Sequence, residues 1–171
     1  MTATSPPRDT RRSAVYDAED VVGRVLERGG TIEHYGSTLV LPGLRRFGDV
    51  ADVPAYLDRV LAFAPVAALP RAGIPVAVRE RRGARAAHYE PAGEAGPTIA
   101  VPPYRAGGAW ALTETTVLHE LAHHLCPDRP PHGPAFLAHL LHLYEHVIGP
   151  EAAHLLRVAL AERGVTTGAP L

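Results

Sequence analysis

Between Thr113 and Phe136 the chain reads TETTVLHELAHHLCPDRPPHGPAF, and no other stretch limits the possible folds as much. Thr113 stands where it can cap a helix, Glu114 falls in the first turn where the helix dipole favours a carboxylate, and Pro127 forbids continuation. The spacing therefore predicts a helix from Glu114 to about Leu125. Leu118, Leu121, Ala122 and Leu125 recur on one side of it and need a core to cover them. On the other side His119 and His123 stand one turn apart with Cβ atoms about 6 Å from each other, so both imidazoles can reach one ion at zinc–nitrogen distances of about 2.0 Å. Glu120 lies about 100° round the helix from His119, beside such an ion rather than bonded to it. One helix thus carries an apolar back and a metal-binding front.

HExxH alone is a short pattern, and a polar helix face with satisfied histidines is the plain alternative. A metal site needs a third protein ligand to become more than a clamp. His132 follows a proline-bounded turn and precedes Gly133-Pro134, which opens the next helix; from such a junction an imidazole can point back at the first. A competing pattern, His142-Leu143-Tyr144-Glu145-His146, matches the inverted HxxEH motif. There His139, His142 and His146 share one helical stripe, which reads as a solvated or partly packed face, with a second metal site as the lesser alternative. His124 is open between a place behind the metal ligands and simple exposure. Cys126 reads as a small buried hydrophobe and Trp110 as core. Tyr104, Arg105 and Tyr144 are unranked candidates to stabilise an oxyanion.

Elsewhere the patterning gives a first amphipathic helix over Ser13 to Glu27, stopped by Gly29-Gly30, and a hairpin or interrupted strand over Thr31 to Leu41. Asp52 before Val53-Pro54 predicts a capped helix to about Phe63. Ile74–Glu80 and Arg85–Glu90 predict a second hairpin around Arg82-Gly83, and 93–97 a loop. Thr98 to Val101 is a short strand whose following Pro102-Pro103 suits a sheet edge, open to pairing with an extended peptide. Helices from Gly133-Pro134 to about Ile148, and from Gly149-Pro150 to near Arg163-Gly164, close the chain. Helix, then strands, then helices argue for an α+β domain. Residues 1–12 read as a disordered leader, 13–165 as one domain and 166–171 as a flexible tail.

A chain of 171 residues can bury one core without staples. Cys126 is its only cysteine, so neither a disulfide within the chain nor a thiolate metal cluster is available, which suits the cytoplasm. The net charge of −1 and scattered arginines give no footprint for nucleic acid. No run approaches the ~18 apolar residues of a membrane span. Arg11-Arg12 could open an export signal, but Asp17, Glu19 and Asp20 stand where its apolar segment would be.

HELAHH followed by HGPAF, with His132, Gly133 and Phe136, resembles the SprT-like zincin metalloproteases, and resembles more narrowly a group of small actinobacterial metallohydrolases. The resemblance covers about Thr113 to Phe136. It lacks that family's downstream cysteine-rich zinc ribbon, so the DNA-associated role is not carried over. The metzincin pattern fits less well, because Cys126 and Arg129 stand where its glycine and third histidine belong. The resemblance implies a zincin-like α+β domain: a small mixed or antiparallel sheet on helices, with HExxH on a central helix followed by two more. It also implies one zinc per chain on His119, His123 and His132, with Glu120 as general base for peptide hydrolysis by a zinc-activated water. A peptide or protein substrate is the first expectation. Hydrolysis of a small amide, or a zincin-fold binding module without catalysis, are the alternatives, and an open cleft rather than a closed pocket separates peptide from small molecule.

Overall fold

A computed structural model describes residues 9–83, 85–94 and 96–171 as a mixed α+β arrangement. The first helix, α1 (Arg12–Arg28), buries Val15, Ala18, Val22 and Leu26, the i, i+3, i+7, i+11 stripe of its apolar face. Gly29 and Gly30 follow with φ of 61° and 78°, left-handed values that end the helix cheaply only at glycine. The leader expectation lies outside the described residues as far as residue 8; residues 9–12 run directly into α1.

Strands β1 (Thr31–His34) and β2 (Ser37–Val40) form an antiparallel hairpin, with Ile32 opposite Leu39 and His34 opposite Ser37. Its two turn residues, Tyr35 and Gly36, have φ of 47° and 78°, the positive values that a two-residue turn needs to match strand twist. After a 3-10 turn at Val50–Asp52 come α2 (Val53–Ala62) and the single turn α3 (Ala64–Ala67). Asp52 does not cap α2 with its side chain. Its carboxylate accepts from the N–H groups of Gly48 and Asp49 at 3.1 and 3.0 Å, closing a reciprocal box with Asp49 one turn earlier.

The three remaining strands, β3 (Ala77–Glu80), β4 (His88–Gly93) and β5 (Gly96–Val101), make a sheet of order β3-β5-β4. β3 and β4 are therefore not a hairpin with each other. β5 enters between them, parallel to β3 and antiparallel to β4, and of the stretch 93–97 expected as a loop, Gly93 ends β4 while Gly96 and Pro97 begin β5, with Gly93 paired to Gly96. Thr98 to Val101 lies at the sheet centre, not at an edge. The reason is burial: Ile99, Ala100 and Val101 are the apolar strand residues and are almost fully covered. Pro102 is tolerated because its missing N–H falls one residue beyond the last ladder pair, Glu80 with Val101. The edges are β3 and β4.

The helix α4 (Glu114–Leu125) spans the residues its punctuation predicts. Leu118, Leu121, Ala122 and Leu125 sit in the main core with Leu137, Leu140 and Leu156. Its start is held differently from the expectation, since the Thr113 hydroxyl meets Trp110 O at 3.2 Å and no helix N–H. Glu114 is instead buried, accepting from Tyr56 Oη at 2.8 Å and from Arg45 N at 3.1 Å. The helices α5 (Pro134–Leu143), ending in a π-turn at Tyr144–Ile148, and α6 (Pro150–Glu162) follow, α6 packing against α1. Beyond them Gly168 N donates to Pro134 O at 3.1 Å, laying the tail along the start of α5. Among the described residues no helix is long and apolar enough to cross a membrane.

Candidate metal centre

The apolar back of α4 fixes the direction of its front. With Leu118, Leu121 and Ala122 fully buried on one side, His119 and His123 face the start of α5, with ring centroids 4.9 Å apart. His132, from the loop between α4 and α5, brings its ring to 5.3 Å from His119 and 4.9 Å from His123. Ligand-capable atoms of the three histidines all lie within 4.8 Å of one another, a group that could hold a metal ion. Phe136, in the first turn of α5, packs against all three rings, stacking on His123 at 4.3 Å. The loop is tight where it delivers His132: a Cβ on Gly133 would stand 3.0 Å from Pro130 O, which favours glycine beside the ligand.

The hydrogen bonds behind the rings decide which nitrogens face inward. His119 Nδ1 lies 2.7 Å from a Glu19 carboxylate oxygen, and His132 Nδ1 lies 2.5 Å from Asp9 Oδ2. A carboxylate accepts, so each Nδ1 carries the hydrogen and each neutral ring turns its Nε2 lone pair towards the other. Those two Nε2 atoms are 3.3 Å apart. Two lone pairs at that distance need a proton on one nitrogen or a metal ion between them. Two ligands in a tetrahedral shell at zinc–nitrogen distances of 2.0–2.1 Å would be separated by about 3.3 Å. The donor set therefore fits a divalent ion with a preference for imidazole.

Burial and neighbouring charge act in opposition on these groups. Burial works against a charge on His119, but the Glu19 carboxylate beside it prevails and raises its pKa. At His123 burial and the adjoining His119 and His132 push the pKa down to about 2, so this ring stays neutral and keeps a lone pair free. Burial lowers His132 in spite of Asp9.

Glu120 is buried beside His119 and burial pushes its carboxyl above the usual carboxylate range, with an N–H from Tyr89 on β4 holding it. It borders both halves of a cleft open to solvent. One half, of about 540 Å³, runs past Tyr16 and Glu19 towards Trp110 and Thr115. The other, of about 700 Å³, passes over His123 and His132 towards Arg71 and Arg81. Tyr16 forms the wall where they meet, stacked on His119 at 4.9 Å, with the Arg12 guanidinium 5.5 Å above its ring. Burial, and then the nearby Glu120 charge, push the Tyr16 phenol up to about 12.

The other candidates are scattered. His124 is fully buried behind α4, 2.9 Å from Ile74 O through Nε2 and 3.3 Å from Tyr89 Oη through Nδ1. It is a strut between helix and sheet, and Cys126 is buried nearby. His139 bonds its own helix at Ala135 O, and His142 bonds Pro65 O. The His142 and His146 rings stand 4.4 Å apart and Glu145 is tied to Arg157 at 2.5 Å, but among the described residues the inverted motif does not bring three ligand atoms together as His119, His123 and His132 do. Tyr104 is exposed, Arg105 is forked onto Glu80, and the Tyr144 hydroxyl is buried without a hydrogen-bond partner among the described residues. None of the three borders the cleft. Trp110 does, being 45 % exposed, because the 3-10 turn at Ala109–Ala111 buries Ala111 and turns its neighbour outward; it is not core.

Sequence reasoning missed Asp9, Tyr16 and Glu19. They lie 123 and 100 residues from their histidine partners in the two hydrogen-bonded cases. The only local sign was the acidic run Asp17, Glu19, Asp20 on the polar side of α1. No family model, no curated protein and no solved structure matches the chain.

Proposed function

We propose that this protein is a zinc-dependent hydrolase of zincin-like architecture that cleaves peptide bonds. The observation that carries the reading is the convergence of three histidines, two with carboxylate-fixed tautomers, beside a buried glutamate on the floor of an open cleft. His119, His123 and His132 would hold the ion, and three neutral imidazoles suit zinc. When bound, zinc supplies Lewis acidity towards a carbonyl and lowers the pKa of water. The protein's own part falls to Glu120. Its carboxylate takes a proton from the attacking water and returns it to the leaving amine. Tyr16 and Phe136 keep bulk water from the flanks of His119. A cleft extending both ways from Glu120 favours an extended chain over a small amide. Main-chain pairing with that chain would fall to β4, the sheet edge bordering the cleft, in place of β5. A lone buried thiol accords with a reducing, cytoplasmic setting.

The test is Glu120→Gln in zinc-loaded protein, assayed for metal content and for turnover of a broad peptide mixture. Metal should be kept and turnover should fall ~10²- to 10⁴-fold, the usual worth of a general base. His132→Ala should lose both metal and turnover, and His142→Ala neither. Undiminished turnover in the Gln variant with full zinc rejects the mechanism, and an inert wild type points to a binding module.

A further inference from the structure

The two halves of the cleft differ in how their charges are satisfied. In the half towards Trp110, Arg24 pairs with Asp20 at 3.7 Å and Arg46 with Glu27, while Arg85 is exposed and without an ion pair among the described residues. In the half over His123 and His132 two arginines are anchored but not neutralised. Arg71 donates Nε to His124 O at 2.7 Å, where a cation also meets the negative end of α4, and Arg81 donates Nη1 to Ala86 O. Each anchor uses one N–H and leaves further donors of the guanidinium unspent. No carboxylate of the described residues is within ion-pair distance of either. Of the three acids in this half, Asp9 is bonded to His132, Glu120 is buried beside His119, and Asp128 stands exposed at the rim.

We propose that this half of the cleft is a carboxylate-binding subsite, and that the chain bound across Glu120 carries an acidic group, held by Arg71 and Arg81, on the His132 side. The inference rests on the peptidase reading for the substrate being a peptide, but the arginines bind the carboxylate whether or not the bond is cut. Main-chain anchoring matters because it leaves less side-chain freedom to be lost on binding, and a planar guanidinium with free Nη donors meets a carboxylate with two parallel bonds. The carboxylate can belong to an Asp or Glu side chain or to a free C-terminus.

Three fluorescent octapeptides of Ala and Gly distinguish the cases when titrated into zinc-loaded full-length protein by anisotropy. One has a central Glu and an amidated end, one a central Gln and an amidated end, and one a central Gln and a free C-terminal carboxylate. The Glu peptide or the free-acid peptide, according to the source of the carboxylate, should bind about ten- to hundredfold more tightly than the neutral one. Arg81→Gln should remove that margin while leaving zinc content and neutral-peptide binding unchanged. Arg71→Lys, which keeps the charge but not the fork, should reduce it, and the surface variant Arg157→Gln should not alter it. Equal binding of all three peptides, binding of none, or a margin that survives Arg71→Gln and Arg81→Gln together overturns the subsite. Carboxylate-dependent binding without hydrolysis would reject the peptidase reading and leave the subsite standing.

Discussion

At the residue scale, the centre depends on two carboxylates that touch no reacting atom. Glu19 and Asp9 fix the Nδ1–H tautomers of His119 and His132, and with them the inward direction of both Nε2 lone pairs. Residues that orient ligating histidines this way are typically worth 10- to 100-fold in metal affinity. Glu19→Gln and Asp9→Asn should each weaken zinc binding by about that factor in competition with a chromophoric chelator, without emptying the site at saturating metal. An amide can still accept through its oxygen, so the remaining affinity separates an orienting role from a ligating one. Loss of all zinc from either variant would mean that the carboxylate itself binds the ion. Glu120 was legible beforehand because its place relative to His119 and His123 is internal to one helix. Glu19 and Asp9 were not, because nothing in local spacing links a residue of α1 to one of α4.

At the scale of elements, α4 is defined by punctuation but secured by a distant side chain. Its limits agree with the punctuation at Thr113 and Pro127, yet the Thr113 hydroxyl does not cap it and the carboxylate of Glu114 is satisfied by Tyr56 from α2 and by the Arg45 N–H, neither foreseeable from its neighbours. Tyr56→Phe keeps the ring in the core and removes one donor to a buried carboxylate, which should cost about 1–3 kcal/mol. Urea denaturation reads this directly, and an unchanged midpoint would show that Glu114 finds other satisfaction. The strands went the other way. β3 and β4 were identifiable as strands, but not that β5 separates them, since alternation marks a strand's faces and is silent on its neighbours.

At the scale of the whole molecule, the three histidines come from α4 and the loop before α5, and their carboxylate partners from α1 and the residues leading into it. A bound ion therefore joins segments more than a hundred residues apart, and a ligand that binds only the folded chain stabilises it. At a hundredfold excess over its dissociation constant the gain is about 2.7 kcal/mol, and for a protein of this size that raises the melting temperature by roughly 5–10 °C. Calorimetry with and without a chelator measures the difference. Equal melting temperatures in protein shown to carry metal would mean that the ion sits at a surface site and not between these elements.

What the sequence determined by itself is whatever is settled within a turn or two of chain: the limits of α4, its division into an apolar face and a histidine face, the breaks at Pro127 and Gly133-Pro134, and the nearness of His119, His123 and Glu120. Backbone geometry and the helical repeat fix these without regard to the rest of the molecule. Only the tertiary structure decided that β5 is central, that Trp110 faces the cleft while Tyr144 is sealed in, and that Tyr16, Glu19 and Asp9 close around the histidines. Those outcomes depend on which surfaces meet. Burial and hydrogen-bond satisfaction between remote segments carry no fixed sequence separation, so they become visible only when the chain is folded.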